Sequence, residues 1–144
     1  MKQNHSELLV ALGCELNALL VAFRTVMATS AARFHPDLQP AAYQIAVTLS
    51  SRGPAKAGRL AEQLGMDKSA VSRLAKSLCD KGLTTASADP DDGRGIVYSL
   101  TDDGVESVHA ANAIKSDAYL SRIDGWSNAE LGQFIGFLRK FNQV

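Results

Sequence analysis

Residues 60–74 read Leu60-Ala61-Glu62-Gln63-Leu64-Gly65-Met66-Asp67-Lys68-Ser69-Ala70-Val71-Ser72-Arg73-Leu74, and this stretch decides the fold. The pattern predicts a short helix from about Ala57 to Leu64 and a stop at Gly65, where glycine takes the left-handed conformation at low cost. A second helix follows, capped by Asp67 and running to Lys81, with Val71, Leu74, Ala75 and Leu78 on one face. Ala61, Gly65, Val71 and Leu74 are separated by four, six and three positions. That spacing suits two helices meeting at a sharp turn: a small side chain where they cross, glycine in the turn, and two apolar side chains pinning the second helix to the first. An ordinary helical hairpin packed into a core satisfies the same spacing. The first of the two helices begins without a good capping residue.

Outward from this pair, Thr84–Ala88 and Ile96–Leu100 read as two short strands around the polar, glycine-containing tip Asp89-Pro90-Asp91-Asp92-Gly93-Arg94-Gly95. Upstream, Leu9, Leu12, Leu16, Leu19, Phe23 and Val26 alternate steps of three and four, a heptad-like seam on one long helix. Leu8, Leu20 and Met27 widen that stripe, so the helix should pack against more than one neighbour. His35-Pro36 ends it, and Pro40 opens another helix that runs to about Ser51 and closes at Arg52-Gly53-Pro54. Downstream, Thr101 caps a helix to about Arg122 whose first turn carries Asp102, Asp103 and Glu106. Ser127-Asn128-Ala129-Glu130 is a capping box opening a last helix with Leu131, Phe134, Ile135, Leu138 and Phe141 on its apolar side. The expected class is mainly α with a small β-hairpin wing: a winged helix-turn-helix over 37–101 between an N-terminal helix (1–36) and two C-terminal helices (102–144), about six helices in all.

The 144 residues, 46% hydrophobic, are enough for one packed core, and 15 basic against 15 acidic residues exclude a polybasic, histone-like protein. The balance is not uniform. Segment 52–81 holds 7 basic and 3 acidic residues, an excess of 4, whereas 82–101 holds 1 and 3. Positive charge gathered into thirty residues of a neutral chain fits a local phosphate-contacting surface, and equally a solvated helical face. Cys14 and Cys79 lie 65 positions apart and His5, His35 and His109 are scattered, which suggests no disulfide framework, metal site or cofactor. A phosphate-cradling glycine loop, a nucleophile elbow and a metal-ligand cluster are missing, and Asp89, Asp91 and Asp92 are expected on a flexible tip without basic or histidine neighbours, so an enzyme is not expected. With no run of 18 apolar residues and no leader-like N-terminus, the chain is expected in the cytoplasm, away from membranes.

The stretch 60–74, with Leu78, Lys81-Gly82-Leu83, Asp89-Pro90-x-Asp92-x-Arg94 and Leu100-Thr101-x-x-Gly104, resembles the MarR family of bacterial transcriptional regulators. The resemblance covers essentially the whole chain. It implies a homodimer, joined through the N-terminal and last two helices, on a pseudo-palindromic site in double-stranded DNA. Within each winged module the helix from Asp67 would enter the major groove, with Lys68, Ser69, Ser72, Arg73 and Lys76 on its non-core face. Arg73 is the candidate for a bidentate base or phosphate contact, Lys76 for phosphate, and Arg94 for the minor groove. Arg73 paired to an acidic side chain, Arg94 held by Asp92, and serines that merely face solvent are the alternatives. Two departures from the family pattern bear on affinity: Gly93 stands where a second wing cation is usual, and Ala86 where an arginine is common. They also motivate an alternative in which the module binds only protein.

Family members commonly act as repressors released by a small aromatic or phenolic effector, or respond to oxidants through cysteine. Arg24, Arg33, His35 and Tyr43 are the polar candidates for an anionic ring compound, and each is also an ordinary helix-surface or junction residue. Cys14 is the redox candidate, near the seam; the aromatic partner expected four residues on is replaced by Ala18. Cys79 reads as a small packing residue, and Gly132 and Gly136 as sites of close helix approach.

Overall fold

A computed structural model describes residues 4–143. The elements are α1 (His5–Phe34), α2 (Pro40–Arg52), β1 (Ala55–Lys56), α3 (Ala57–Leu64), α4 (Lys68–Asp80), β2 (Thr84–Ala88), β3 (Ile96–Leu100), α5 (Asp102–Arg122) and α6 (Asn128–Phe141). Their ends follow local chemistry. Pro36 forces His35 out of the helical region (φ −162°, ψ 123°) and stops α1. Pro40 supplies the first residue of α2, and Gly65, at φ 62°, makes the α3–α4 turn. Asp67 caps α4 by accepting the Ala70 N–H at 3.3 Å. The Ser127–Glu130 box closes both ways, at 2.8 and 3.1 Å.

The expected hairpin forms, with Ala86 opposite Tyr98, but it is not alone. Ala55 and Lys56 pair with Tyr98 and Val97, making a three-stranded antiparallel sheet in the order β1-β3-β2. The sequence pattern assigns these two residues to no element. A two-residue strand has no periodicity of its own and exists only because β3, some forty residues later, supplies its partners.

One core runs from the last turn of α1 to the middle of α5. Tyr43, Ile45, Leu60, Val71, Leu78 and Val108 are fully buried at its centre, with Phe34, Ala61 and Ala111 around them. Ala61 and Val71 meet at the α3–α4 crossing as their spacing requires, and Leu74 is half-buried against the same core. Cys79 packs there too, its Sγ 3.1 Å from Thr84 Oγ1. By contrast, α6 buries no residue, and the N-terminal two-thirds of α1 is exposed along its apolar stripe.

The α4–β2 turn and the start of α5 are fastened together at Thr101. Its N–H donates to the Leu83 carbonyl at 3.0 Å, its hydroxyl donates to the Gly82 carbonyl at 2.7 Å, and the same oxygen accepts the Gly104 N–H at 3.0 Å. A Cβ at position 104 would lie 2.0 Å from the Leu83 oxygen, so only glycine fits. Gly104→Ala should therefore cost at least about 1–3 kcal/mol by overpacking. Urea titration should show a lower midpoint at unchanged slope, while Gly132→Ala, inside α6 where a Cβ meets nothing within 4 Å, does not lower the midpoint and gains helix propensity instead.

Candidate nucleic-acid interface

Two helix faces separate on α4. Val71, Ala75 and Leu78 are buried, while Lys68, Ser69, Arg73 and Lys76 are exposed and Ser72 is half-buried. At 100° per residue, positions 68, 69, 72, 73 and 76 fall within an arc of about 140° opposite the buried set. The serines are partly committed inside the chain. Ser69 donates to the Asp67 carboxylate, and Ser72 donates to the Lys68 carbonyl at 3.0 Å. The Ser69 hydroxyl and Ala70 N–H together hold the Asp67 carboxyl below the usual carboxylate range. Lys68, Arg73 and Lys76 form no ion pair among the described residues.

The wing tip is braced by its own carboxylates. Asp89 accepts the Asp91 N–H at 3.0 Å and Asp92 accepts the Arg94 N–H at 3.2 Å, two aspartate-capped turns in succession. The Asp92 contact is to the Arg94 backbone, so the guanidinium itself is exposed and in no ion pair among the described residues. Between wing and α3–α4 lies an open cleft of about 820 Å³, and Lys68, Ser72 and Arg94 line it together with Lys56 and Arg59. Arg73, Lys76 and Ser69 share the α4 face outside that cleft. Lys56 and Arg59 were not singled out in the sequence, although both belong to the charge-rich segment. Asp89 corrects an expectation: Lys56, 33 positions upstream, reaches it at 2.5 Å, so the tip does have a basic neighbour.

The four expected effector residues do not assemble. Arg24 and Arg33 are nine residues apart on α1, hence on opposite faces and about 13.5 Å apart along its axis. His35 is half-buried at the α1–α2 junction, its Nδ1 accepting the Asp37 N–H at 3.2 Å. Tyr43 is fully buried: its hydroxyl donates to Asn112 Oδ1 at 2.8 Å, and its ring lies 5.4 Å from Phe34 and under Lys115 Nζ at 5.0 Å. Tyrosine at a helix junction reads equally as ligand contact or core, and here the core has claimed it. Cys14 is exposed on α1 among leucines, with no aromatic partner four residues on. Among the described residues no group of three or more His, Cys, Asp or Glu side chains is placed to hold a metal. By length and composition α1 could cross a membrane. Its charges at Glu7, Glu15, Arg24 and Arg33 leave charge-free runs of at most eight residues, such as Leu16–Phe23, against the roughly 20 a bilayer core requires.

A helix pair with a glycine turn, a cation-bearing second helix and a three-stranded wing define a winged helix-turn-helix module of the DNA-binding kind. The profile of the MarR family matches residues 37–95. YxaD of Bacillus subtilis, an uncharacterised HTH-type transcriptional regulator, is 30% identical over 108 residues, 75% of this chain and 76% of the relative. The chain belongs to the MarR family and is a transcriptional regulator, not an enzyme. Its fold is similar to a mutant MarR of Escherichia coli complexed with operator DNA: TM-score 0.70, 17% identity, 96% of this chain and 99% of that one. It is also similar to BpsR of Bordetella bronchiseptica, whose DNA binding is regulated by 6-hydroxynicotinic acid: TM-score 0.67, 22% identity, 89% and 92% covered.

Burial pushes the Tyr43 hydroxyl up to about 12, with the nearby Tyr119 adding to it, against an ordinary value of 10. The unfolded chain therefore loses this proton first, and the contribution of Tyr43 is complete below pH 10 and lost as pH rises through 12. Stability measured from pH 9 to 12 should fall more steeply for the native chain than for Tyr43→Phe. At neutral pH that variant should be less stable by about 1 kcal/mol, because Asn112 Oδ1 loses its donor.

Proposed function

We propose that the chain is a cytoplasmic repressor that binds a pseudo-palindromic operator in double-stranded DNA as a two-fold symmetric homodimer. In this reading α4 enters the major groove and the wing reaches the adjacent minor groove. The observation that carries it is the set of exposed cations on one side of the module: Lys68, Arg73 and Lys76 on α4, with Arg94 on the wing, none of them paired inside the chain among the described residues. Cations left free in a chain of zero net charge are available to phosphates and base edges. Arg73 is assigned to a base edge or phosphate, Lys68 and Lys76 to phosphate, Ser69 and Ser72 to polar contacts at the groove, and Arg94 to the minor groove.

Dimerisation is supported by the apolar surface. Leu8, Leu9 and Leu20 on α1 and Phe137 and Phe141 on α6 are each at least half exposed in the single chain. An apolar expanse of this extent on a monomer marks an interface. The segments 1–36 and 102–144 are assigned to it, and 37–101 to DNA. Release by a small aromatic acid or phenol is proposed by analogy with BpsR.

Mobility-shift titration against the DNA upstream of its own coding region tests the reading, and failure to bind would favour a module that contacts only protein. Arg73→Ala should cost about 1–3 kcal/mol on the operator and flatten discrimination at one position per half-site. Arg94→Ala should weaken binding most on A·T-rich flanks and reduce the salt slope by roughly one to two per dimer. Leu16→Glu with Leu138→Glu should yield a monomer in sedimentation and abolish DNA binding with it, since each places an unpaired charge in the apolar contact.

A further inference from the structure

Lys56 is a poor choice for the helix it precedes. It is the N-cap residue of α3 and makes no side-chain cap there. An ammonium has only donors, so it cannot accept from the free N–H groups of the first turn, and its charge opposes the positive end of the helix. Its side chain goes elsewhere. From β1, where Lys56 stands opposite Val97, it passes over β3 at Gly95 and reaches Asp89 at the end of the hairpin, with Nζ 2.5 Å from Oδ2. It passes close over Gly95: a Cβ there would lie 2.8 Å from Nζ and 2.9 Å from Cε of Lys56, and the flexible end of the lysine would have to move. The other Asp89 oxygen accepts the Asp91 N–H, and the Asp89 N–H donates to the Gly95 carbonyl at 2.8 Å, so the pair closes on the loop that carries Arg94.

We infer that Lys56 and Asp89 form a strap across β3 that ties the wing tip to the start of α3 and fixes where Arg94 stands relative to α4. Both are then positioning residues for DNA binding, and the inference rests on the proposed operator-binding function. Stability is a weak reason for the pair: the lysine side chain is 45% exposed, and surface ion pairs contribute little. Its geometric effect is specific, because one end belongs to the helix-turn-helix backbone and the other to the loop bearing Arg94. The pair holds the Asp89 carboxyl below the usual carboxylate range.

The strap and plain electrostatics make opposite predictions for Asp89→Asn. The substitution keeps the oxygen that accepts the Asp91 N–H and removes one negative charge from a surface facing DNA. Charge alone would tighten binding; loss of the strap weakens it. Fluorescence-anisotropy titrations on the operator should show Asp89→Asn and Lys56→Met each weaker by roughly three- to tenfold, with two wings per dimer, and Lys56→Arg close to native. Combined with Arg94→Ala, neither should add a further loss, because nothing remains to be positioned. Tighter binding by Asp89→Asn, or full additivity of Lys56→Met with Arg94→Ala, would overturn the strap and make Lys56 a direct phosphate contact. Amide hydrogen exchange on the free protein gives a readout independent of DNA. Faster exchange at Asp89 and Gly95 in Lys56→Met, with α4 unchanged, supports the strap even if the native chain binds no operator, a result that would instead end the repressor reading. Unchanged exchange at both amides would remove the strap whether or not DNA is bound.

Discussion

The winged module is joined to the start of α5 most tightly at the contact of Gly104 with the Leu83 carbonyl. Position 104 lies so near that oxygen that a methyl group has no room, and the single hydroxyl of Thr101 serves both the Gly82 carbonyl and the Gly104 N–H. The end of α4, the start of β2 and the start of α5 are thus fixed to one another by four residues. From there α5 runs beside α1, with the Phe23 and Tyr119 rings tilted at 41° and 5.7 Å apart, while α2 is held to α5 by the Tyr43–Asn112 hydrogen bond. The C-terminal end of α4 is thus tied to the N-terminal end of α5 through Gly82, Leu83, Thr101 and Gly104.

How much of this could be read in the sequence depended on the range of each interaction. Helix ends are decided by chemistry within four residues, and Pro36, Pro40, Gly65, Asp67, Thr101 and the Ser127–Glu130 box all act where their residue types said they would. Gly104 was legible only through resemblance; its physical reason is a carbonyl 21 positions earlier that no local pattern announces. Ala55 and Lys56 become a strand, and Lys56 finds Asp89, through a pairing set by β3. The candidate DNA-facing residues were legible because they share one helix face. The effector candidates were chosen for chemistry alone, and helical arithmetic already places Arg24 and Arg33 on opposite sides of α1. Tyr43 offered no local sign of whether its ring or its hydroxyl would decide its place.

Charge is distributed with the same economy. Two of the wing's three aspartates hold its shape: Asp89 on Lys56 and the Asp91 amide, Asp92 on the Arg94 amide. Arg94 is left with its side chain uncommitted. Arg94 is the one cation between Thr84 and Leu100, and the loop braced by Asp89 and Asp92 fixes its backbone.

The exposed stripe of α1 also has a consequence for how the chain is made. Because α1 is first in the sequence, its leucines leave the ribosome with none of the later helices yet available to shield them. The stretch from the end of α1 to the end of α6 takes roughly 5–20 s to add at ordinary elongation rates. During that interval the stripe is a nascent amphipathic helix open to any apolar surface nearby, including the same stripe on a neighbouring chain translated from the same message. Glu15 and Arg24 keep the apolar runs of this nascent segment short.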